Sequence, residues 1–547
     1  MSSLPKMISR GFTCAATTLL LSICAVVSAP AAELHSNGLG GGDWSDPLSW
    51  REKVAPTAAD DVVISRGDVI SFDRNDDGKT TCNRIYIDPN GSFVFKTGAG
   101  RIVCCPAGEV ESFGVVLLDG TKSAADKLEL RMVGKTAQDR TVTLLKGGKF
   151  TAAGRRNLAH GKHNVTVSTL LEPDFATAKP PKAPLEATVA AKDGASIDVQ
   201  RCEFASVNIS ANDIDNTGAE VGERVNIVGN HFSGVGRMVI TSCDSPLIAD
   251  NSFELMAGIA TPHSAMFING CSLPEIRGNV VRGRYSFGIQ ARSQLDGTLT
   301  DCDFEGQATG VYYYGTNGML KNLKIAKCDT GLTMTSASGV VEDTHISGCK
   351  TGYYHGPATV QMTNVRIIDL QKDGTSVLYY NGSLRLLNCN VTVDQVVKGG
   401  EVDRKTPDGS PPIECLNFLV VKVAGKSPLG TRVEVVSAER AATSAQGGTA
   451  SRAADPNVRN SPAPLRPDGL TPLPESLEPL IVRSWTYDAT MKPSPAPSYV
   501  VRVVPPAGAA TMAAAPKPLA EQKATPDATW YREEPNQPTP TLEVRIP

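Results

Sequence analysis

The sequence predicts an all-β chain organised around a parallel β-helix. The phrase "IAKCDTGLTM" beginning at Ile325 returns 21 residues later as "ISGCKTGYYH" at Ile346, with its Ile, Cys, Thr and Gly unmoved. Around both anchors polarity alternates with the two-residue period of a strand, not the 3.6 of a helix. The 547 residues include 50 Gly and 37 Pro but only 5% aromatics. That balance favours turn-rich β structure, because Gly and Pro break helix interiors.

The repeat extends well beyond two copies. Equivalent anchors stand at Phe204, Phe232, Phe253, Val281, Phe304, Ile367 and Val391, at spacings of 21 to 28 residues. Five residues before each anchor is an apolar residue: Val199, Ile227, Ile248, Ile276, Leu299, Leu320, Val341, Met362 and Leu386. Three before it is a turn-former (Gly229, Asp250, Gly278, Asp301, Asn322, Asp343, Asn364, Asn388), with Arg201 the exception. Such residues tolerate the backbone of a sharp bend. Short strands between bends at a fixed period describe coils that bury their apolar faces against one another, and nine coils make a rod of roughly 40 Å. In "GN.F", "DN.F" and "GN.V" at Asn230, Asn251 and Asn279, the motif resembles the right-handed β-helix repeats of the pectate-lyase-like superfamily over about residues 190 to 395. The resemblance implies a right-handed coil.

Two residues before the anchor, Cys202, Asn230, Asn251, Asn279, Cys302, Leu323, Thr344, Val365 and Cys389 form an inward column. Its three consecutive Asn can bond one another's amides along the axis. Cys328 and Cys349 stack in a neighbouring column and read, like the other dispersed cysteines, as buried structural thiols. Of 13 cysteines, Cys14 and Cys24 fall in the N-terminal segment.

Residues 1–31 read as a signal peptide: Lys6 and Arg10, an apolar run from Phe12 to Val27, then Ala29-Pro30-Ala31. An exported protein is expected, extracellular, periplasmic or at the cell surface, with no transmembrane segment after cleavage. Residues 33–104 are expected to form a glycine-rich β domain. "GGGDWSDPLSW", "DDVVIS" and "GSFVF" there resemble the extracellular domain named for its eight conserved glycines, and the resemblance implies a polysaccharide setting. Residues 105–190 read as early irregular coils interrupted by "KPPKAP" at 179–184, and 191–400 as the β-helix proper. Residues 415–505 resemble a transthyretin-like or carboxypeptidase-regulatory β-sandwich, with "FLVVKVAGKSPLGTRVEVV" as its opening hairpin and "SYVVRVV" as a closing strand. A disordered insertion is expected over 438–475, and a Pro- and Ala-rich tail over 506–547.

Candidate site residues lie where the repeats differ. The strand after Gly288, Gly310, Gly331 and Gly352 turns Ile289, Val311, Leu332, Tyr353 and Val377 inward. It turns Arg292, Tyr312, Tyr314, Thr333, Thr335, Tyr354 and Tyr380 outward. Tyrosines two coils apart are roughly 10 Å apart, a spacing that suits alternate sugars of an extended glycan; the same rings can also simply cover a sheet. His355 should point inward, as core. One residue before each anchor, Asp303, Lys324, His345 and Arg366 belong to an outward polar column that places Asp303 beside Lys324. It reads either as cross-strand charge pairing or as a polyanion-handling surface. "DRNDDG" carries Asp73, Asn75 and Asp77 at the spacing of half a calcium loop, but Arg84 stands where the closing Glu is needed, so a polar turn is the competing reading. Vicinal Cys104 and Cys105 should face opposite sides of a strand, so both are not expected in the core.

With 54 Lys and Arg against 57 Asp and Glu, a net charge of -3 and no basic run, nucleic acid is not an expected partner. No complete catalytic motif is present. The expected function is binding of extracellular or cell-envelope polysaccharide, with processing by a lyase or glycoside hydrolase as its catalytic form; the alternative is a structural or adhesive surface protein that uses the rod as a spacer.

Overall fold

Ser196–Gln200, Glu203–Ala205 and Val207–Asn212 are three short strands of one coil. Each pairs in parallel with its counterpart one coil later, Val199 with Ile227, Phe204 with Phe232 and Ile209 with Met238. Repetition builds three parallel sheets, called leading, middle and trailing in the order of those strands. The computed structural model describes residues 32–546 apart from 99, 123–124, 126, 156–162, 170–185, 216–220, 294–295, 316, 400–411, 426–429, 439–457, 460, 467–469, 473–478, 488–491, 496–497, 507–517 and 525–540. The expected signal segment, the "KPPKAP" loop and most of the expected insertion lie outside the described residues.

The columns read from the sequence fall into register. Anchors Phe204 to Ile367 pair consecutively along the middle sheet, and Val199 to Leu386 along the leading sheet. All nine residues between these columns, Arg201 included, have φ between +48° and +68°, so the bend is set by backbone stacking even where the side chain does not favour it. The Asn column is a ladder: Asn230 Nδ2 donates to Asn251 Oδ1 at 3.1 Å, and Asn251 Nδ2 to Asn279 Oδ1 at 3.0 Å. Each amide also donates to a backbone carbonyl of the preceding coil, Val199, Ile227 and Ile248. All eleven cysteines from Cys82 onward are buried, with free thiols.

The glycine-rich domain expected over 33–104 is not set apart. Glu33–His35, Asp61–Ile64 and Arg84–Ile87 are the first strands of the 15-stranded trailing sheet, and Gly41–Asp43, Val69–Phe72 and Ser92–Phe95 belong to the leading sheet. Among the described residues the middle sheet, of 11 strands, starts only at Arg101–Cys104. Long loops replace its strand in the first coils, which hides the period. Trp44 packs edge-on against Trp50 and Phe72, each at 5.3 Å, in the core of this end. Gly41 is required there, since a Cβ on it would stand 2.2 Å from the Val69 carbonyl oxygen. Both Cys104 and Cys105 are buried, contrary to expectation. The segment around Asn75 to Cys82 runs beside strand Arg101–Cys104, with bridges Asn75 to Val103 and Cys82 to Pro106. It covers the face that alternation alone leaves open.

At the other end, Ile413–Phe418 extends the leading sheet in parallel and then pairs antiparallel with Ile481–Tyr487. A second core begins at Leu419 and includes Val433, Tyr499 and Val544. The expected hairpin does not form: Val420–Ala424 pairs with Thr541–Arg545, and Arg432–Ser437 with Tyr499–Val504. The expected tail therefore returns to the body, and Ala520–Ala524 also pairs with Tyr499–Val504. Within the expected insertion, Val458–Arg459 and Ala463–Pro464 are short strands.

Candidate functional site

Alternation along the trailing sheet sorts its side chains into two faces. Ile289, Val311, Leu332, Tyr353 and Val377 are all buried inside the coil. Outside, Phe267, Gln290, Tyr312, Thr333, Tyr354 and Leu378 stand in register on successive strands. Phe287 lies edge-on to Tyr312 at 5.2 Å, and Tyr354 lies against Tyr380 at 4.9 Å. Thr333, though outward, is only 7% exposed, so the flanking Tyr312 and Tyr354 close over it. Tyr314 is in register between Arg292 and Thr335 and is 43% exposed. Burial and the neighbouring Tyr380 and Tyr312 raise the Tyr354 pKa, keeping a neutral phenol. The five residues singled out in the sequence, Arg292, Tyr312, Tyr314, Tyr354 and Tyr380, are brought to one region.

Arg292 projects over the Phe267 ring at 6.0 Å. With the Gln290 amide oriented to satisfy both its ends, the oxygen accepts from Arg292 Nη2 at 2.7 Å and Nε at 3.1 Å, and the nitrogen donates to Ser264 Oγ at 3.1 Å. The guanidinium is thus held in place by neutral groups. His263 stands where the register slips between Thr261 and Ser264, within electrostatic range of Arg237. Such a bulge re-aims the side chains it carries. Burial and the Arg237 charge lower the His263 pKa, leaving a neutral imidazole able to accept a proton. Among the described residues neither Arg237 nor Arg292 forms an ion pair with a carboxylate, and Arg237 Nε is buried without a hydrogen-bond partner. Sequence reasoning missed Phe267, Gln290, Arg237 and His263. Phe267 could have been found by carrying the tyrosine column two coils earlier; the slip hid His263.

The second polar group is in register as expected, Asp303 beside Lys324, then His345 and Arg366. Asp303, however, binds Arg282, at 2.6 Å, rather than Lys324; the bidentate guanidinium of the preceding coil also reaches Glu305 at 3.3 Å. Arg366 is buried, on the last middle strand, where Asn390 bonds both Ile367 N and O. The candidate calcium residues are engaged separately. Asp73 accepts from Ser45, Asn75 from the Asp77 amide, and Asp77 pairs with Arg101 and Arg131, each at 2.6 Å. Among the described residues no group of three or more His, Cys, Asp or Glu is placed to hold a metal. His355 is core, as expected: fully buried, 2.7 Å from the Tyr353 hydroxyl and stacked on Tyr379, with a pKa lowered to about 3 by burial. No described helix is long and apolar enough to cross a membrane.

A family profile described as "Right handed beta helix region" matches residues 264–400. The fold is a right-handed parallel β-helix. Among solved structures, a mutant of the periplasmic alginate epimerase AlgG matches 61% of this chain and 84% of its own, with 11% identity and a TM-score of 0.25. No curated protein sequence matches. The matched β-helix segment contains the aromatic column from Phe267 to Leu378.

Proposed function

We propose that this β-helix is an exported protein that binds extracellular or cell-envelope polysaccharide across the outward face of its trailing sheet. The observation that supports this most is the alignment of Phe267, Phe287, Tyr312, Tyr354 and Tyr380 on one side of the sheet, beside a guanidinium held by Gln290. Aromatic faces stack on the apolar faces of sugar rings while the phenols and amides bond hydroxyls. A processing step would centre on His263 as proton acceptor, with Arg237 beside it to balance charge developing on the substrate. Binding of labelled protein to a glycan array tests the reading, and the absence of any bound glycan removes it.

A second reading, a structural or adhesive rod, is favoured by the middle and leading sheets. Their outward charges close on one another, as in Arg282 with Asp303 and Arg277 with Glu275, leaving a self-satisfied surface.

A further inference from the structure

A cleft of about 840 Å³ opens on the trailing-sheet face of the first coils. Its floor is Val63 and Tyr86, in register on adjacent strands, with Glu111 in register on the next. Five carboxylates and three guanidinium groups line it. Elsewhere on the rod, opposite charges on nearby strands meet, as Lys321 and Glu342 do at 3.1 Å. In the cleft, none of the three guanidinium groups, Arg51, Arg66 and Arg84, forms an ion pair among the described residues. Arg51 is held by neutral acceptors, Ser36 O at 3.0 Å and Ser65 Oγ at 3.3 Å. Asp61 accepts from Asn83 and Glu109 from Thr143, whereas among the described residues the carboxylates of Asp88 and Glu111 accept no side-chain hydrogen bond. The His35 ring is turned to Glu33 at 2.9 Å.

We propose that this cleft is a second carbohydrate site, one that takes a neutral, polyhydroxylated sugar unit. A sugar hydroxyl donates to a carboxylate and accepts from a guanidinium, so an uncharged polyol satisfies both sets of open groups at once. A polyanion would meet the five carboxylates, and a polycation the three guanidinium groups. The apolar floor of Val63 and Tyr86 gives the ring a surface to stack on. The volume is within the range of small-ligand pockets, roughly 300–1,000 Å³. Burial and the carboxylates of Asp88 and Glu111 raise the Tyr86 pKa, so its phenol stays a donor. The site is separate from the aromatic face: Glu111 and Tyr312 are seven strands apart on the same sheet, roughly 34 Å at about 4.8 Å per strand.

The test is calorimetric titration of the full-length protein with neutral cello-, malto- and xylo-oligosaccharides and with oligogalacturonate. Wild type is expected to bind at least one neutral oligosaccharide. Glu111→Gln, which keeps the side chain's shape, and Tyr86→Ala are each expected to weaken it about tenfold or more, while Arg282→Ala, on the middle sheet and outside both sites, leaves that affinity unchanged. Thermal melts show whether Tyr86→Ala remains folded; Glu111→Gln decides the matter if it does not. The proposal is overturned if no neutral oligosaccharide binds, or if Glu111→Gln binds like wild type. Loss of binding in Tyr312→Ala/Tyr354→Ala alone would instead assign the neutral sugar to the aromatic face.

Discussion

Gly331 lies against Ile346 of the next coil: a Cβ on Gly331 would stand 2.6 Å from Ile346 Cγ2 and 2.6 Å from the Gly352 carbonyl oxygen. Gly310 stands in the same relation to Ile325, and Gly352 to Ile367. The glycine of the repeated phrase is therefore there for space. The anchor of one coil occupies the volume that a side chain on the previous coil would fill. Gly331→Ala is expected to destabilise by about 1–3 kcal/mol, the usual range for overpacking, read as a lower urea midpoint at unchanged slope.

Asn251 occupies the middle of the amide ladder, bonded to Asn230 on one side and Asn279 on the other. Replacing it with Ala strands the Asn230 backbone N–H, which donates to Asn251 Oδ1 at 3.0 Å, and leaves the Asn230 side-chain amide with the Val199 carbonyl alone in a dry interior. A loss of about 2–5 kcal/mol is expected, since each buried unsatisfied group costs about 1–3 kcal/mol. A thermal melt close to wild type would contradict the ladder's role.

His355 makes stability depend on pH. Its pKa falls from 6.5 to about 3 on folding because burial disfavours the charged ring. The unfolded chain therefore binds a proton that the folded one does not over that interval. The contribution is fully present above pH 6.5 and is lost progressively as pH falls toward 3. Between pH 7 and 4, Tm should fall more steeply for wild type than for His355→Gln; parallel curves would show that His355 is protonated in the fold.

Glu414 joins the solenoid to the C-terminal unit. Its carboxylate meets Arg385 and Arg459 at 3.2 Å and Arg483 at 2.8 Å, and its side chain is only 9% exposed. Glu414→Ala removes the carboxylate that the three guanidinium groups share; because Arg385 and Arg459 are 41% and 39% exposed, the loss falls below the roughly 3–5 kcal/mol of a fully buried pair. The expected signature is earlier proteolysis and melting of residues beyond 413, with the coils before it unchanged.

The rod from about residue 196 onward was legible because stacking locks one column to one role: Ile227, Gly229, Asn230 and Phe232 are read as strand, bend, ladder and anchor, and they fold so. The first coils were not legible, because loops in place of a middle strand break the period. The final strands were hidden by composition, as Thr541–Arg545 finds its partner at Val420–Ala424 across more than a hundred residues. The tyrosines were found by alternation. The cleft was not, because Val63, Tyr86 and Glu111 share no local motif and meet only when three coils stack.

The most direct measurement of the central claim is the affinity of the best array glycan for wild type and for Tyr312→Ala/Tyr354→Ala, with Arg282→Ala as a surface control. The expected result is a loss of at least about tenfold in the tyrosine variant, in line with about 1–3 kcal/mol for losing aromatic anchors, and no change in the control. Equal affinity for all three proteins, or no bound glycan at all, contradicts it.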